Sequence, residues 1–572
     1  MIPVRPKLYL NLYWHMHQPD YRDMLTGEYI LPWTYLHAMK DYTDMAYHLE
    51  ANRKARVTFN FVPVLLDQLE DYSQQFKAGT VSDPLLALLA QQDLHDISAT
   101  QRNFVIDSCF KSHHEKMLAP FPHYQRLYNI YRGLEVEGQT AFNYLSGQYM
   151  ADLLVWYHLA WTGESVRRND ETVVRLMTQG SGFSYTDRAN LLALIGKLIR
   201  GLIPRYRKLA ESGQIELSTT PHYHPLAPLL IDFSSARDSM PGVSLPNEAA
   251  YPGGRSRVAA QLSSAIASHT RRFGARPCGV WPAEGAVSEP FLEILAEQDC
   301  RWSASGEGVL ANSLRESYPG EPLPERGRYL YRAYQIKGKA DSVVCFFRDE
   351  RISDMIGFEY SKWFGRDAAE HLVHSLEDIS RNAKPDEDPV VSVILDGENA
   401  WEYYPYNGYY FLNDLYEILE NHETIHPTTY RDYLGSIDIK KDAAVLPALA
   451  AGSWVYGTFS TWIGDKDKNH AWDLLCAVKH SYDLVMQSGR LAEEEKAKAK
   501  RQLASCESSD WFWWLGDYNP PQVVESFDKL FRANLANLYC LLKLPVPASL
   551  HEPISRHAGG TPESGGAMRR AS

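Results

Sequence analysis

One apolar run restricts the fold of this chain more than any other stretch, VVSVILDGENAWEYYPYNGYYF at residues 390–411. Its first part is rich in Val and Ile, which is typical of a strand buried on both faces of a parallel sheet. The run then ends abruptly at Asp396 and Glu398 and continues into Trp and Tyr residues. A buried strand that ends in carboxylates is how a β/α barrel presents a reactive acid at the carboxyl ends of its strands. Since aromatic faces pack well on the apolar C–H patches of sugar rings, the run indicates carbohydrate chemistry.

Six further segments have strand patterns, at residues 8–14, 57–62, 214–219, 278–281, 300–304 and 342–347. Helical patterns alternate with several of them. This alternation is the signature of parallel βα units, so the sequence predicts an α/β fold with seven strands.

The length of 572 residues exceeds that of one ordinary domain, although a barrel with insertions can occupy most of it. We expect residues 1–434 to form a catalytic barrel with a helical insertion at about 81–179. The strand pattern fades after residue 434, and residues 435–545 predict a C-terminal helical region that completes the site. Residues 546–572 are rich in Pro, Gly and Ser and are expected to be a disordered tail.

Charge and cysteine content restrict the partners of the protein. The net charge of −13 and the scattered basic residues disfavour nucleic acid, and a neutral substrate fits this balance better than a phosphorylated one. The seven cysteines form no CxxC pair and are interpreted as reduced residues of a cytoplasmic protein. The N-terminus lacks a signal-peptide pattern, and no apolar run reaches the length of about 18 residues that predicts a membrane span. The oligomeric state stays open.

Two carboxylates follow predicted strands and have aromatic neighbours, Glu284 after Val280-Trp281 and Asp396 after Ile394-Leu395. Cleavage of a glycosidic bond needs two carboxyl groups, one to attack or activate water and one to protonate the leaving oxygen. The alternative is that either acid caps the following helix or pairs with Arg.

Two histidines, His15 and His17, alternate on a strand and therefore point the same way. They are able to hydrogen-bond sugar hydroxyls or to bind a metal ion, for which His222 and His224 are candidate further ligands. Other charges at strand ends are Glu216 and the Arg348-Asp349 pair with the nearby Asp354, for which structural ion pairs are the alternative. The aromatic cluster at residues 510–517, and the indoles of Trp454 and Trp462, fit either a sugar-binding platform or packing between domains.

Taken together, the segments resemble glycoside hydrolase family 57, whose members act mainly on α-glucans, in its amylase/amylopullulanase-like branch. Five motifs match in order over about residues 8–545. They are His17-Gln18-Pro19, Gly213-x-x-Glu216-x-x-x-Thr220-x-x-x-His224-Pro225, Trp281-Pro282-Ala283-Glu284, Asp396-Gly397-Glu398-Asn399, and Gly457-Thr458-Phe459-Ser460-Thr461-Trp462-Ile463-Gly464.

The resemblance implies an incomplete (β/α)7 barrel with helical insertions and a C-terminal helical region. It implies retaining hydrolysis of α-glucosidic bonds, mainly α-1,4 with α-1,6 left open, with Glu284 as nucleophile and Asp396 as general acid/base. Sugar hydroxyls would be held by His15, His17, Glu216, His224 and Asp354, and sugar rings would stack on Trp281, Trp401 and Trp462. No metal and no organic cofactor is needed. The alternatives are a 4-α-glucanotransferase with the same first half-reaction, a zinc-dependent sugar-processing enzyme, and a non-catalytic α-glucan-binding protein.

Overall fold

The computed structural model describes residues 6–338, 342–384, 387–516, 519 and 521–555. Its strands are β1 Leu8–Met16, β2 Val57–Phe61, β3 Ile215–Ser218, β4 Gly279–Val280, β5 Trp302–Gly306, β6 Tyr334–Ile336, β7 Val344–Arg348, β8 Val390–Asp396, β9 Ile425–Pro427 and β10 Ala444–Leu446. All seven predicted strands are present, each within two residues of its predicted bounds, whereas the three-residue strands β6, β9 and β10 were not predicted.

Most of the remaining chain is helical. The α-helices are α1 Trp33–His37, α2 Thr43–Ala51, α3 Pro63–Ala78, α4 Pro84–Ala90, α5 Ala99–Cys109, α6 Pro122–Glu135, α7 Gly147–Ala160, α8 Glu164–Asn169, α9 Glu171–Gln179, α10 Tyr185–Glu211, α11 Ala227–Ile231, α12 Ala236–Ser239, α13 Gly254–Phe273, α14 Glu289–Glu297, α15 Glu307–Ser317, α16 Arg326–Tyr329, α17 Glu350–Asp354, α18 Gly365–Asn382, α19 Tyr409–Glu420, α20 Tyr430–Ser436, α21 Ile439–Asp442, α22 Lys466–Gln487, α23 Glu493–Cys506, α24 Asp510–Trp514 and α25 Pro521–Leu541.

Strand β1 organises the sheet. It pairs in parallel with β2 on one side and with β8 on the other, and β9 joins it near its start. The sheet continues from β2 to β3 and from β8 through β7 and β5 to β4. A single bridge between Thr219 and Val280 returns β3 to β4, and β7 meets β8 at one residue pair, Arg348 with Ser392. The seven parallel strands therefore form an incomplete barrel, as predicted, with thin ladders at two joints.

The interior of the barrel is packed with rings. Tyr13, Trp302, Phe346 and Tyr430 are all buried in one cluster, and Trp302 lies 4.4 Å from Tyr430 between ring centroids. The barrel interior is thus a solid core, and only the carboxyl ends of its strands are left for a binding site.

Helices α4–α9 lie within the segment predicted as a helical insertion, and α22–α25 lie within the segment predicted as a C-terminal helical region. The segment that was expected to begin the tail contains a 3₁₀ turn, Ala548–His551, with Leu550 and Ile554 buried. The rest of that segment, 556–572, lies outside the described residues. Among the helices that the structure describes, none has both the length and the hydropathy needed to cross a bilayer.

Candidate active site

A cavity of about 310 Å³ opens where β1, β4 and β8 end. Histidines, carboxyl groups and aromatic rings line it together. The lining residues are His15, His17, Gln18, Pro19, Tyr21, Trp33, His37, Trp161, His224, Glu284, Asp396, Glu398, Asn399, Glu402, Tyr403, Trp454, Asp510, Trp513, Trp514, Val523 and Phe527. The structure thus brings together both predicted catalytic carboxylates and three of the predicted binding residues, His15, His17 and His224.

Glu284 stands on a strained turn directly after β4. Its backbone is left-handed, with φ 59° and ψ 24°, a conformation that non-glycine residues adopt only when their surroundings hold it. The next residue, Gly285, is also left-handed, and a Cβ atom there would lie 2.9 Å from Cβ of Trp454. The backbone N–H of Trp454 donates to the carbonyl of Glu284 at 3.1 Å. Packing against the Trp454 loop therefore fixes the direction of the Glu284 carboxyl group.

The register of the sheet places Asp396 at the cavity. As the last residue of β8 it is paired with His15 of β1, so the two residues lie side by side at the strand ends. The backbone N–H of Gly397 donates to the carbonyl of His15 at 2.7 Å, and Asn399 Nδ2 donates to Asp396 Oδ2 at 2.8 Å. This hydrogen bond stabilises the ionised form of Asp396.

A chain of hydrogen bonds connects the interior of the barrel to Glu284. Its first member is Asn60, whose Nδ2 donates to Ser218 Oγ and whose Oδ1 accepts from Thr220 Oγ1. The same Oδ1 lies 2.7 Å from His15 Nδ1. Asn60 therefore links His15 to the hydroxyl groups of Ser218 and Thr220.

The chain continues from His15 to the carboxyl group. His15 Nε2 lies 3.2 Å from His224 Nε2, and His224 Nδ1 lies 2.9 Å from Ser509 Oγ. The Ser509 hydroxyl donates to Glu284 Oε1 at 3.0 Å. This hydrogen bond favours the ionised form of Glu284.

The burial of Glu284 and the charges around it act in the opposite direction and favour its protonated form. Burial raises the pKa of Glu284 to about 8, and the negative charges of Asp510 and Asp396 add to the effect. Burial also raises the pKa of Asp396, but only to about 6, because Asn399, His17 and Arg348 favour its ionised form. Near neutral pH the two carboxyl groups consequently hold one proton between them.

The two histidines of the chain are neutral. Burial lowers the pKa of His15 to about 3, and it lowers the pKa of His224 well below its ordinary value, in both cases with help from His17. Like Glu284, His224 has a left-handed backbone, with φ 58°. Two strained residues at one cavity are typical of a functional site.

Asp510 is a third carboxylate at the cavity, and we did not predict it as a site residue. It begins α24, and its Oδ2 lies 2.9 Å from His17 Nε2. The imidazole of His17 in turn stacks on that of His224, with centroids 3.8 Å apart. The aromatic cluster that follows Ser509 was visible in the sequence. A search for acids beside clustered Trp residues that did not require a preceding strand would have found Asp510.

His17, His224 and Asp510 also form the group that a metal ion would require, since their ligand atoms lie within 4.8 Å of one another in the described structure. Their geometry does not converge, however. The rings of His17 and His224 are stacked with only 19° between their planes, so their in-plane lone pairs run parallel instead of meeting at one point. His222, a candidate ligand, points elsewhere and contacts Asp67 and Ser264, each at 2.8 Å.

Two charged residues of the predicted site lie away from the cavity. Glu216 is buried inside the barrel, where it accepts from Trp302 Nε1 and from the backbone N–H of Arg431, each at 2.8 Å. Burial raises the pKa of Glu216 to about 7. Asp354 pairs with Arg348 at 2.8 Å. The contact of Asp354 is the structural ion pair that the sequence left open, whereas Glu216 is held by hydrogen bonds from an indole and a backbone N–H.

The three predicted stacking residues lie beneath the cavity lining. Trp281, Trp401 and Trp462 are almost completely buried. Trp281 packs on Trp454 with centroids 5.2 Å apart, and Trp401 Nε1 donates to the carbonyl of Gly397 at 2.8 Å. The rings that line the cavity belong to other aromatic residues, Tyr21, Trp33, Trp161, Tyr403, Trp454, Trp513, Trp514 and Phe527.

The comparison with known families decides the relationship of this chain. A sequence profile of glycosyl hydrolase family 57 matches residues 11–445. The chain belongs to this family. The match covers the first four of the five motifs, and it ends before the fifth motif and before α22–α25.

Solved structures of family 57 enzymes share the fold. A branching enzyme from Thermococcus kodakaraensis has 16% identity and a TM-score of 0.59 over 93% of this chain and 90% of that chain. A branching enzyme from Pyrococcus horikoshii has 15% identity and a TM-score of 0.55 over 97% and 98% of the two chains. The α-amylase AmyC from Thermotoga maritima has 15% identity and a TM-score of 0.53 over 94% of each. Each of the three likenesses covers at least 93% of this chain.

Proposed function

We propose that this protein is a retaining glycoside hydrolase that cleaves α-glucosidic bonds of starch- or glycogen-type glucans. The observation that carries the proposal is the pair Glu284 and Asp396, two buried carboxyl groups that share one cavity and one proton near neutral pH. Double displacement requires one ionised and one protonated carboxyl group. The seven free thiols of the described residues favour a cytoplasmic location.

In the proposed cycle Glu284 attacks the anomeric carbon while Asp396 protonates the leaving oxygen. Asp396 then removes a proton from the incoming water or acceptor sugar, which attacks the glycosyl-enzyme and restores Glu284. The aromatic walls, including Trp33 and Trp454, stack on sugar rings and keep water away from the reacting atoms. Neither half-reaction needs a metal ion or an organic cofactor.

Substrate binding must move the proton from Glu284 to Asp396, because the substrate-free cavity favours the opposite arrangement. The difference between the two pKa values, about 8 and about 6, corresponds to about 3 kcal/mol. The lone pair of the leaving oxygen favours a protonated Asp396, and the positive charge that develops at the anomeric carbon favours an ionised Glu284. Ser509 is placed to donate to that ionised form.

The buried polar atoms of cavity-lining residues that have no hydrogen-bond partner in the described structure include His17 Nδ1 and Glu398 Oε2. Burial raises the pKa of Glu398 well above its ordinary value, which favours the neutral carboxyl group, and a neutral carboxyl group can donate as well as accept. We propose that both atoms hydrogen-bond sugar hydroxyls. We also propose that α24 and α25 complete the site, because Asp510, Trp513 and Phe527 line the cavity.

The roles of the two carboxylates are tested with Glu284→Ala and Asp396→Ala. Without Asp396, an α-maltosyl fluoride should still form the glycosyl-enzyme, since fluoride needs little protonation to leave. Azide should then release a glycosyl azide of retained configuration from Asp396→Ala, and the anomeric configuration is read by NMR. Glu284→Ala should form no glycosyl-enzyme by mass spectrometry. Retention with Glu284→Ala and inversion with Asp396→Ala would reverse the two assignments.

The acceptor separates the hydrolase from a 4-α-glucanotransferase. Both enzymes form the same glycosyl-enzyme, and they differ in whether water or a sugar receives the glycosyl group. Incubation with amylose, pullulan and maltoheptaose, followed by chromatography, distinguishes short reducing products from a ladder of longer chains. If none of the three glucans is altered or bound, the proposed function is wrong.

A further inference from the structure

A second concave surface lies next to the catalytic cavity. We name it the aromatic groove and define it by Trp363, Phe364, Tyr406 and Tyr410, which line a volume of about 680 Å³. The chain passes from one surface to the other within a few residues, since Tyr403 lines the catalytic cavity and residues 404–406 line the groove.

The exposure of these rings is unusual for the molecule. The described part of the chain has nine exposed aromatic side chains, and four of them are in this groove. Phe364 is 83% exposed although it has no polar atom in its side chain. A concentration of exposed rings at one concave place marks a binding surface, because a ring that serves only the fold would be buried.

The groove is held in shape by buried contacts behind it. Tyr406 and Asn407 both have left-handed backbones, with φ 54° and 55°. Asn407 is anchored from below, where its Oδ1 accepts from Lys40 Nζ at 2.9 Å and its Nδ2 donates to Asp44 Oδ2 at 2.8 Å. Buried ion and amide contacts therefore keep the Tyr406 ring at the surface despite the strain.

The other side of the groove depends on a close approach of two helices. α18 begins at Gly365, where a Cβ atom would lie 2.7 Å from the backbone nitrogen of Phe411 in α19. The guanidinium of Arg168 packs over the ring of Tyr410 and donates to its hydroxyl at 3.0 Å. These contacts fix Phe364 and Tyr410 relative to each other before any ligand binds.

We propose that the aromatic groove is a second binding site for an α-glucan chain; this inference rests on the proposed function of the catalytic cavity. The rings offer apolar faces to sugars, and the groove also carries Asp367, Asp414 and Lys362, which can bond hydroxyl groups. Charges of both signs fit a neutral polyhydroxylated ligand better than a charged partner. The continuity through residues 403–406 indicates that one long glucan chain occupies the groove while another part of it enters the cavity.

The inference is tested by binding and by turnover. In a Glu284→Gln background, affinity electrophoresis through amylopectin should retard the parent protein, and the added double change Trp363→Ala/Phe364→Ala should weaken that retention about tenfold. Phe364→Ala alone, which removes a ring that is mostly in solvent, should give a smaller loss. Tyr318→Ala removes a ring elsewhere whose exposure is close to that of Trp363, and it is the matched control. In the active enzyme, the double variant should raise KM for amylopectin and leave kcat/KM for maltotriose unchanged.

The outcomes separate this inference from the proposed function. If the enzyme cleaves glucan but the double variant binds amylopectin as tightly as the parent, the groove is not a glucan site. If the parent forms dimers that the double variant lacks, with equal affinity for amylopectin, the groove is an interface between two copies of this chain. If no variant binds or cleaves any glucan, the proposed function itself fails.

Discussion

Removal of the Asp510 charge should shift the pH profile of the enzyme. Glu284 Oε1 and Asp510 Oδ2 each lie 3.9 Å from His224 Nδ1, so the two oxygens are at most about 8 Å apart. With an effective dielectric constant of about 20, two negative charges at that distance repel by about 2 kcal/mol. This repulsion corresponds to about 1.5 pH units in the pKa of Glu284. We therefore expect Asp510→Asn to move the alkaline limb of kcat/KM from about pH 8 to about pH 6.5.

The assay is the loss of maltoheptaose as a function of pH, followed by chromatography so that hydrolysis and transfer are both counted. Asn can still accept a hydrogen bond from His17 Nε2, which limits the change to the charge. Asp378→Asn, an exposed change of the same charge in α18, is the control and should leave both limbs in place. An alkaline limb in Asp510→Asn that stays at the parent pH or moves upward would refute the electrostatic argument.

Three further predictions concern the same cavity and the core beneath it. The kcat/KM of the parent enzyme should follow a bell with limbs near pH 6 and pH 8, because only the singly protonated pair of Glu284 and Asp396 is active; a flat profile across this range would contradict it. The buried Glu216 has a raised pKa of about 7, so its contribution to stability is present at low pH and is lost as the pH rises through 7. Between pH 5 and pH 8, the free energy of unfolding of the parent, measured with urea, should therefore fall by up to about 3 kcal/mol relative to that of Glu216→Gln. The KM of the variant should equal that of the parent. Dialysis against EDTA should leave activity unchanged, whereas a loss that zinc restores would favour the zinc-dependent alternative.

The barrel could be predicted from the sequence because its strands are apolar runs that alternate with helices. The strands β6, β9 and β10 escaped prediction because three residues are too few to show a period. Glu284 and Asp396 could be predicted for the same reason as the barrel, because a parallel strand that ends in an acid places that acid at the rim.

The rest of the site depends on contacts that the sequence does not display. A Trp beneath a cavity and a Trp in its wall have the same local pattern, so Trp281 was predicted to stack on sugar although Trp454 is the residue that faces the cavity. Glu216 follows the strand pattern of a rim acid, yet its carboxylate is turned into the barrel toward Trp302. Ser509 meets Glu284 across 225 residues of sequence, and no spacing rule reaches that far.

This long separation in sequence determines when the active site is completed during synthesis of the chain. Seven barrel strands are complete once Asp396 has left the ribosome, but Ser509 and Asp510 emerge more than a hundred residues later. At about 5–20 residues per second, a nascent barrel therefore exists for several seconds without the hydroxyl and the charge that control the Glu284 proton. A chain interrupted in that interval would carry Glu284 and Asp396 but lack Ser509 and Asp510, so we expect it to be inactive.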